Sequence, residues 1–99
     1  MNNQRKLIEA EILSSAKKII ERWNINLKNK KIEIETSAIS RSGDNETYFS
    51  EIEFNVWKDN NIETFFSLIV FMEGRQNIQL DEIAEFIDDE IKTSIESIN

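Results

Sequence analysis

The sequence has no cysteine, no histidine, no proline and only two glycines. Without cysteine there is no disulfide, thiolate nucleophile or cysteine metal site. Without histidine the chain lacks the commonest general base and the usual zinc ligand. Two glycines are too few for a glycine-rich phosphate loop. These absences exclude most familiar active sites, so we expect a protein that is not an enzyme and uses no cofactor.

Long apolar runs are also missing. No run approaches the roughly 18 residues that span a bilayer. The first 18 residues carry charges among their apolar positions, so we expect no signal peptide. The lack of cysteine suits a reducing compartment, and we expect a cytoplasmic location. With 99 residues and 39% hydrophobic content, the chain is expected to form one α+β domain over residues 1–99.

The charge is acidic overall and unevenly distributed. The net charge is −7, yet the residues through Lys31 include eight basic and three acidic side chains, a net charge of +5. The rest of the chain therefore carries −12. Such asymmetry bears on association, and an acidic surface favours a basic partner.

Two segments have the apolar period of a helix. Between residues 3 and 24 the apolar positions recur three or four residues apart, with one adjacent pair, namely Ile8, Ile12, Ala16, Ile19, Ile20 and Trp23. From Asp81, which we expect to be the N-cap, a second stripe follows the same spacing with Ile83, Ile87, Ile91, Ile95 and Ile98. Each stripe predicts a helix with one buried face.

Three segments between these helices alternate like strands. The segments 31–40, 48–58 and 61–72 are separated by the turn-forming residues 40–47 and 58–61. Their even-numbered apolar residues predict one buried face, with Ile34, Phe54 and Phe66 as examples. Only the segment 61–72 has large apolar residues on both faces, so we take it as the stretch around which the core is organised.

Matching the even-numbered faces of the second and third strands requires an odd loop, most simply three residues. This register places Lys58 opposite Ile62, with three further pairs along the strands. These pairs are Phe54–Phe66, Ile52–Leu68 and Phe49–Phe71, and the same reasoning places Ile34 near Phe54. The predicted fold is α-β-β-β-α, a three-stranded antiparallel meander with both helices on one face in a two-layer sandwich.

The element order α-β-β-β-α resembles that of the double-stranded-RNA-binding domain. In that family a basic cluster opens the second helix and binds phosphates. Here the corresponding residues include Asp81, Glu82 and Glu85, which repel phosphate. Lysines on and after the first helix, namely Lys17, Lys18, Lys28, Lys30 and Lys31, leave another route to nucleic acid. We nevertheless do not expect nucleic acid to be the partner, and we expect no membrane binding.

The odd-numbered face of the sheet should be apolar and exposed if both helices cover the other face. Phe65, Ile69 and Phe71 lie on it, with Phe49 and Trp57 at its ends. Exposed apolar patches usually mark an interface. Three interpretations remain open at this point: a partner-binding surface, a seam between two copies, or a core covered by part of the same chain.

Carboxylates accompany this face. Four of them should lie on the outward side of neighbouring strands, Glu33, Glu35, Glu51 and Glu53. Such a group could bind a divalent cation or act in acid–base chemistry, but a flat sheet face offers no cleft. A second acidic row, with Glu85, Asp88 and Asp89, should lie on the outward face of the last helix and could imitate the phosphates of nucleic acid toward a basic groove.

The sequence therefore predicts a small acidic interaction protein that binds a basic protein target stoichiometrically. It would act as an inhibitor, an immunity protein or a phage-type counter-defence protein. Its contacts would be the odd-numbered aromatic face and the carboxylates named above. The alternative is a homo-oligomeric structural or adaptor protein that uses the outer sheet face as a dimer seam.

Overall fold

The fold is described from a computed structural model that covers residues 2–43 and 49–98. Its helices and strands are α1 (Asn2–Leu27), β1 (Ile32–Thr36), β2 (Ser40–Ser42), β3 (Phe49–Lys58), β4 (Asn61–Met72), β5 (Arg75–Gln76) and α2 (Ile83–Ile98). The strands form one antiparallel sheet in the order β1-β3-β4-β5, and β2 pairs with β3 on the side that β1 occupies. The predicted α+β class is confirmed. Residues 44–47 of the predicted first turn, and Tyr48 of the second strand, lie outside the described residues.

The sheet has more strands than the predicted meander. The first predicted strand, 31–40, ends early as β1, because Ser37 to Ile39 leave the strand geometry. The short strand β2 then lies mainly in residues predicted as a turn. The break shifts the alternation by one residue, so Ala38 is exposed and Ile39 packs against the core. The short strand β5 then pairs with the end of β4. The third predicted strand is therefore an edge strand over most of its length but not at its end.

A tight turn joins β3 to β4. Asp59 and Asn60 have φ angles of 52° and 71°, the left-handed backbone that a two-residue hairpin turn of type I′ requires at both positions. Lys58 consequently pairs with Asn61, and the predicted pairing with Ile62 is wrong.

Matching the apolar faces of β3 and β4 requires one extra residue, and this residue lies in the strand instead of the turn. The pairing passes from Trp57–Ile62 to Val56–Thr64, so Glu63 is an extra residue in a β-bulge. The even-numbered faces still match beyond it. The predicted pairs Phe54–Phe66 and Ile52–Leu68 are confirmed, whereas Ile34 lies opposite Val56.

A second bulge changes the end of β4. The pairing passes from Glu51–Ile69 to Ser50–Phe71, which leaves Val70 as the extra residue. Val70 and Phe71 are both buried, while Met72 is exposed. The predicted pair Phe49–Phe71 is therefore wrong, and Phe49 pairs with Met72.

Both helices pack on the even-numbered face of the sheet. Buried isoleucines of α1 and α2 join the strand residues in one core cluster, in which the Phe54 and Phe66 rings stack with centroids 4.7 Å apart. The helix α1 continues past its predicted end, burying Leu27 but leaving Ile25 exposed. Before α2, the Gln79 N–H donates to the Glu82 carboxylate at 2.9 Å, so Asp81 is not the N-cap.

Candidate partner-binding surface

The face of the sheet turned away from both helices is called the outer face here. Because side chains alternate along a strand, the residues between the buried positions of β3 and β4 point outward. Three large apolar side chains on this face are exposed: Phe65 is 68% exposed, Ile62 51% and Met72 45%. Phe49, Trp57 and Ile69 are half-buried on the same face. The outer face therefore presents aromatic and aliphatic groups to solvent.

These side chains form two groups along the hairpin. The first apolar group consists of Trp57, its cross-strand partner Ile62, and Phe65, the next outward-facing residue of β4. The second apolar group consists of Phe49, its cross-strand partner Met72, and Ile69. Glu53, which pairs with Ser67, lies between the two groups. A binding partner that covers both groups must also accommodate this carboxylate.

Phe71, which was predicted to lie on the outer face, lies on the helix side of the sheet. Phe71 is only 5% exposed, and the Arg5 guanidinium carbon lies 4.8 Å from its ring centroid on the helix side of the sheet. The bulge at Val70 causes this, because the extra residue exchanges the directions of Phe71 and Met72. Met72 takes the place predicted for Phe71. Sequence reasoning also missed Ile62, which the bulge at Glu63 brings beside Trp57.

The predicted strand carboxylates lie on the outer face as expected. Glu33 pairs with Trp57 and Glu35 with Asn55, while Glu51 pairs with Ile69. Together with Glu53 they border the two apolar groups with negative charge. Within residues 2–43 and 49–98, no three acidic, histidine or cysteine side chains are grouped so as to hold a metal ion.

The carboxylates of α2 have two different environments. Glu85 and Asp89 are exposed, as predicted for a contact row. Asp88 instead lies between the helices, where its Oδ1 accepts a hydrogen bond from Trp23 Nε1 at 2.7 Å. Asp88 therefore joins α1 to α2, and its predicted place on the outward face of α2 is wrong.

A groove runs between α2 and the edge of β4. Its strand side is formed by Ser67, Leu68 and Ile69, and its helix side carries Glu82, Glu85 and Asp89. We call it the acidic groove. Its three carboxylates lie beside an edge strand, which is a place where another chain can pair.

Three of the lysines on and after α1 border a different groove, between that helix and β1. Lys17, Lys28 and Lys31 lie there with Glu21 and Asp59. The mixture of signs gives a phosphate backbone no uniformly positive surface. Among the described residues, the acidic groove is lined by no lysine or arginine.

Comparisons with protein-family models, with curated proteins and with solved structures found no match. Among the described residues, no helix has the length and apolar character needed to cross a membrane.

Proposed function

We propose that this protein is a small, non-enzymatic interaction protein that binds a basic protein stoichiometrically. It would act as an inhibitor, an immunity protein or a phage-type counter-defence protein. The observation that supports this proposal is the outer face, where Phe65, Ile62 and Trp57 are grouped beside carboxylates. Central aromatic anchors surrounded by polar residues are typical of protein interfaces.

The charge of this region indicates the class of partner. Glu33, Glu35 and Glu53 border the apolar groups, and the acidic groove continues the negative surface past the edge of β4. A basic protein would be steered to this surface at a higher association rate than a neutral one. Burial of the aromatic groups would then supply most of the affinity.

A seam between two copies is the alternative use of the outer face. A seam that covered both apolar groups would also bury Glu53, which lies between them. An unpaired carboxylate is costly to bury. A basic partner offsets part of this cost by bringing a cation to Glu53, which is why we favour a different protein over a second copy.

The experiment is affinity capture from an extract of the producing cell, followed by reconstitution with the purified candidate. We expect a basic protein bound at one to one, with affinity falling as salt is raised. Phe65→Ser, and separately Glu85→Lys with Asp89→Lys, should each weaken binding at least tenfold. Ile25→Ser is the matched control, because Ile25 is 70% exposed but lies on α1.

Two results would contradict the proposal. One is a complex whose affinity is indifferent to salt and to both sets of changes. The other is a homodimer in sizing experiments that Phe65→Ser converts to a monomer, which would establish the seam instead.

A further inference from the structure

We propose that the free edge of β4 accepts an extended segment of the basic partner as one more antiparallel strand. The segment would alternate basic residues, directed toward the acidic groove, with apolar residues over the outer face. This inference rests on the proposed function for the basic character of the partner, and it adds the backbone pairing by which that partner would be held.

The two edges of the sheet differ in how they are protected. On β1, the Asn24 side chain hydrogen-bonds both backbone polar groups of Ile34, donating to its carbonyl oxygen at 2.9 Å and accepting from its N–H at 2.7 Å. On β4, protection is confined to the end, where β5 pairs with Phe71 and Met72. Asn77 extends this protection by donating to the carbonyl oxygens of Ile69 and Val70. Among the described residues, nothing beyond β3 forms a hydrogen bond with the backbone from Ile62 to Leu68.

The hydrogen-bond pattern identifies which groups are free. In an antiparallel sheet, the backbone groups of successive residues point alternately to the two neighbouring strands. The Ile69 carbonyl points away from β3, because it accepts from Asn77 Nδ2 at 2.9 Å. The Glu53 carbonyl accepts from the Ser37 N–H on the β1 side, so the backbone groups of Glu53 point away from β4. Its cross-strand partner Ser67 must then direct its own backbone groups away from β3, to the open edge. Phe65 and Ser67 therefore direct their N–H and C=O groups to the open edge.

The two faces of an added strand would meet different surroundings. Residues opposite Phe65 and Ser67 would share their outward direction and would pack over the first apolar group and Ile69. The residues between them would point to the α2 side, where Glu82, Glu85 and Asp89 border the groove. The residues of the added strand that point to the α2 side should therefore be lysine or arginine. Those that point to the outer face should be apolar.

A second copy of this chain fits the same edge poorly. Two β4 strands paired antiparallel about a two-fold axis would place both α2 helices on the same side of the joined sheet. The acidic residues of each groove would then face those of the other. Like charges placed opposite each other destabilise an interface, so the occupant we assign is a basic segment and not a second copy.

The test uses a synthetic ten-residue peptide in which lysine alternates with valine. Binding is measured by calorimetry, and the site by amide chemical shifts of the labelled full-length protein. We expect the largest shifts at Phe65 and Ser67. N-methylation of the valines should weaken binding at least tenfold, because their N–H groups face β4. N-methylation of the lysines, whose N–H groups face away, should leave affinity within about twofold.

The protein side is tested with Ser67→Pro. Ser67 is exposed and its N–H faces solvent, so proline fits this edge position without losing an internal hydrogen bond. It should weaken peptide binding at least tenfold, whereas Ser67→Ala should not. Unfolding in urea verifies that both variants are folded, and the N-methylated peptides give an answer that does not depend on either variant.

The outcomes separate the edge from the proposed function. Undiminished binding of the valine-methylated peptide would overturn strand pairing while leaving an acidic surface for a basic partner. No binding of the unmethylated peptide would overturn the edge site. Equal binding of a peptide with glutamate in place of lysine would overturn the basic class and, with it, the electrostatic basis of the proposed function.

Discussion

The amide side chain of Asn24 binds both backbone polar groups of Ile34, as a neighbouring strand would. Its Nδ2 donates to the Ile34 carbonyl at 2.9 Å, and its Oδ1 accepts from the Ile34 N–H at 2.7 Å. A helix residue thereby protects the middle of an edge strand. Unprotected edges promote pairing between chains, so this contact helps to direct any pairing to β4.

Asn24→Ala should lower the free energy of unfolding by about 1–3 kcal/mol, because two half-buried backbone groups lose their partner. Unfolding in urea measures the change. Asn26→Ala is the matched control two residues further along α1, where the side chain is exposed, and it should shift stability by at most about 0.5 kcal/mol. Equal effects from the two changes would count against a structural role for the Asn24 amide.

Asp88→Ala should lower stability by about 1.5–3 kcal/mol, the range for hydrogen bonds to charged groups. Its carboxylate holds Trp23 Nε1 at 2.7 Å between the two helices. Asp89→Ala, at an exposed position, should change stability little. The same urea titration, followed by tryptophan fluorescence, compares them. If Asp89→Ala proved the more destabilising change, it would contradict a stabilising role for the hydrogen bond between Trp23 and Asp88.

Glu9→Ala tests an ion pair between a buried carboxylate of α1 and a half-exposed arginine of β2. Glu9 is 3% exposed and pairs with Arg41, while Arg5 Nε lies 3.7 Å from its second oxygen. The Arg41 side chain is 44% exposed, so solvent screens part of this attraction, and we expect a loss of about 1–2 kcal/mol. Glu11→Ala, at an exposed site on α1, is the control and should have little effect. Similar midpoints for the two variants would contradict this prediction.

The bulge at Val70 is tested with the neighbouring residues Phe71 and Met72. Phe71→Ala removes a buried ring from the helix side of the sheet and should cost about 3–5 kcal/mol. Met72→Ala should cost less, because Met72 lies largely in solvent on the outer face. Chemical denaturation of both variants decides the order. A larger loss of stability from Met72→Ala than from Phe71→Ala would contradict the bulge and support the uninterrupted alternation expected from the sequence.

Much of the fold could be read from the sequence, because burial on one side gives each element a visible period. The spacing of Ile83, Ile87 and Ile91 predicted α2, and the alternation from Asn61 to Met72 predicted β4 with the bounds observed. The pair Phe54–Phe66 followed from matching the apolar faces of two strands.

The candidate surface could be predicted only in part. Phe65, Ile69, Phe49 and Trp57 lie on the outer face as expected, and so do the strand carboxylates. Asp88 was misplaced because its carboxylate is drawn between two helices by Trp23, a residue 65 positions away. The helical period places Asp88 about 100° from Ile87, at the border of the apolar stripe, and Asp89 about 200° from it. The period does not reveal the hydrogen bond that Asp88 accepts from Trp23.

The sequence by itself determined the class of the fold and the apolar character of both faces of β4, because residue types and their period are local properties. Only the tertiary structure decided which of Phe71 and Met72 lies on the outer face. Both are apolar, and their directions depend on one extra residue in the pairing with β3. The open edge is likewise a tertiary property, since it results from where Asn24, Asn77 and β5 lie.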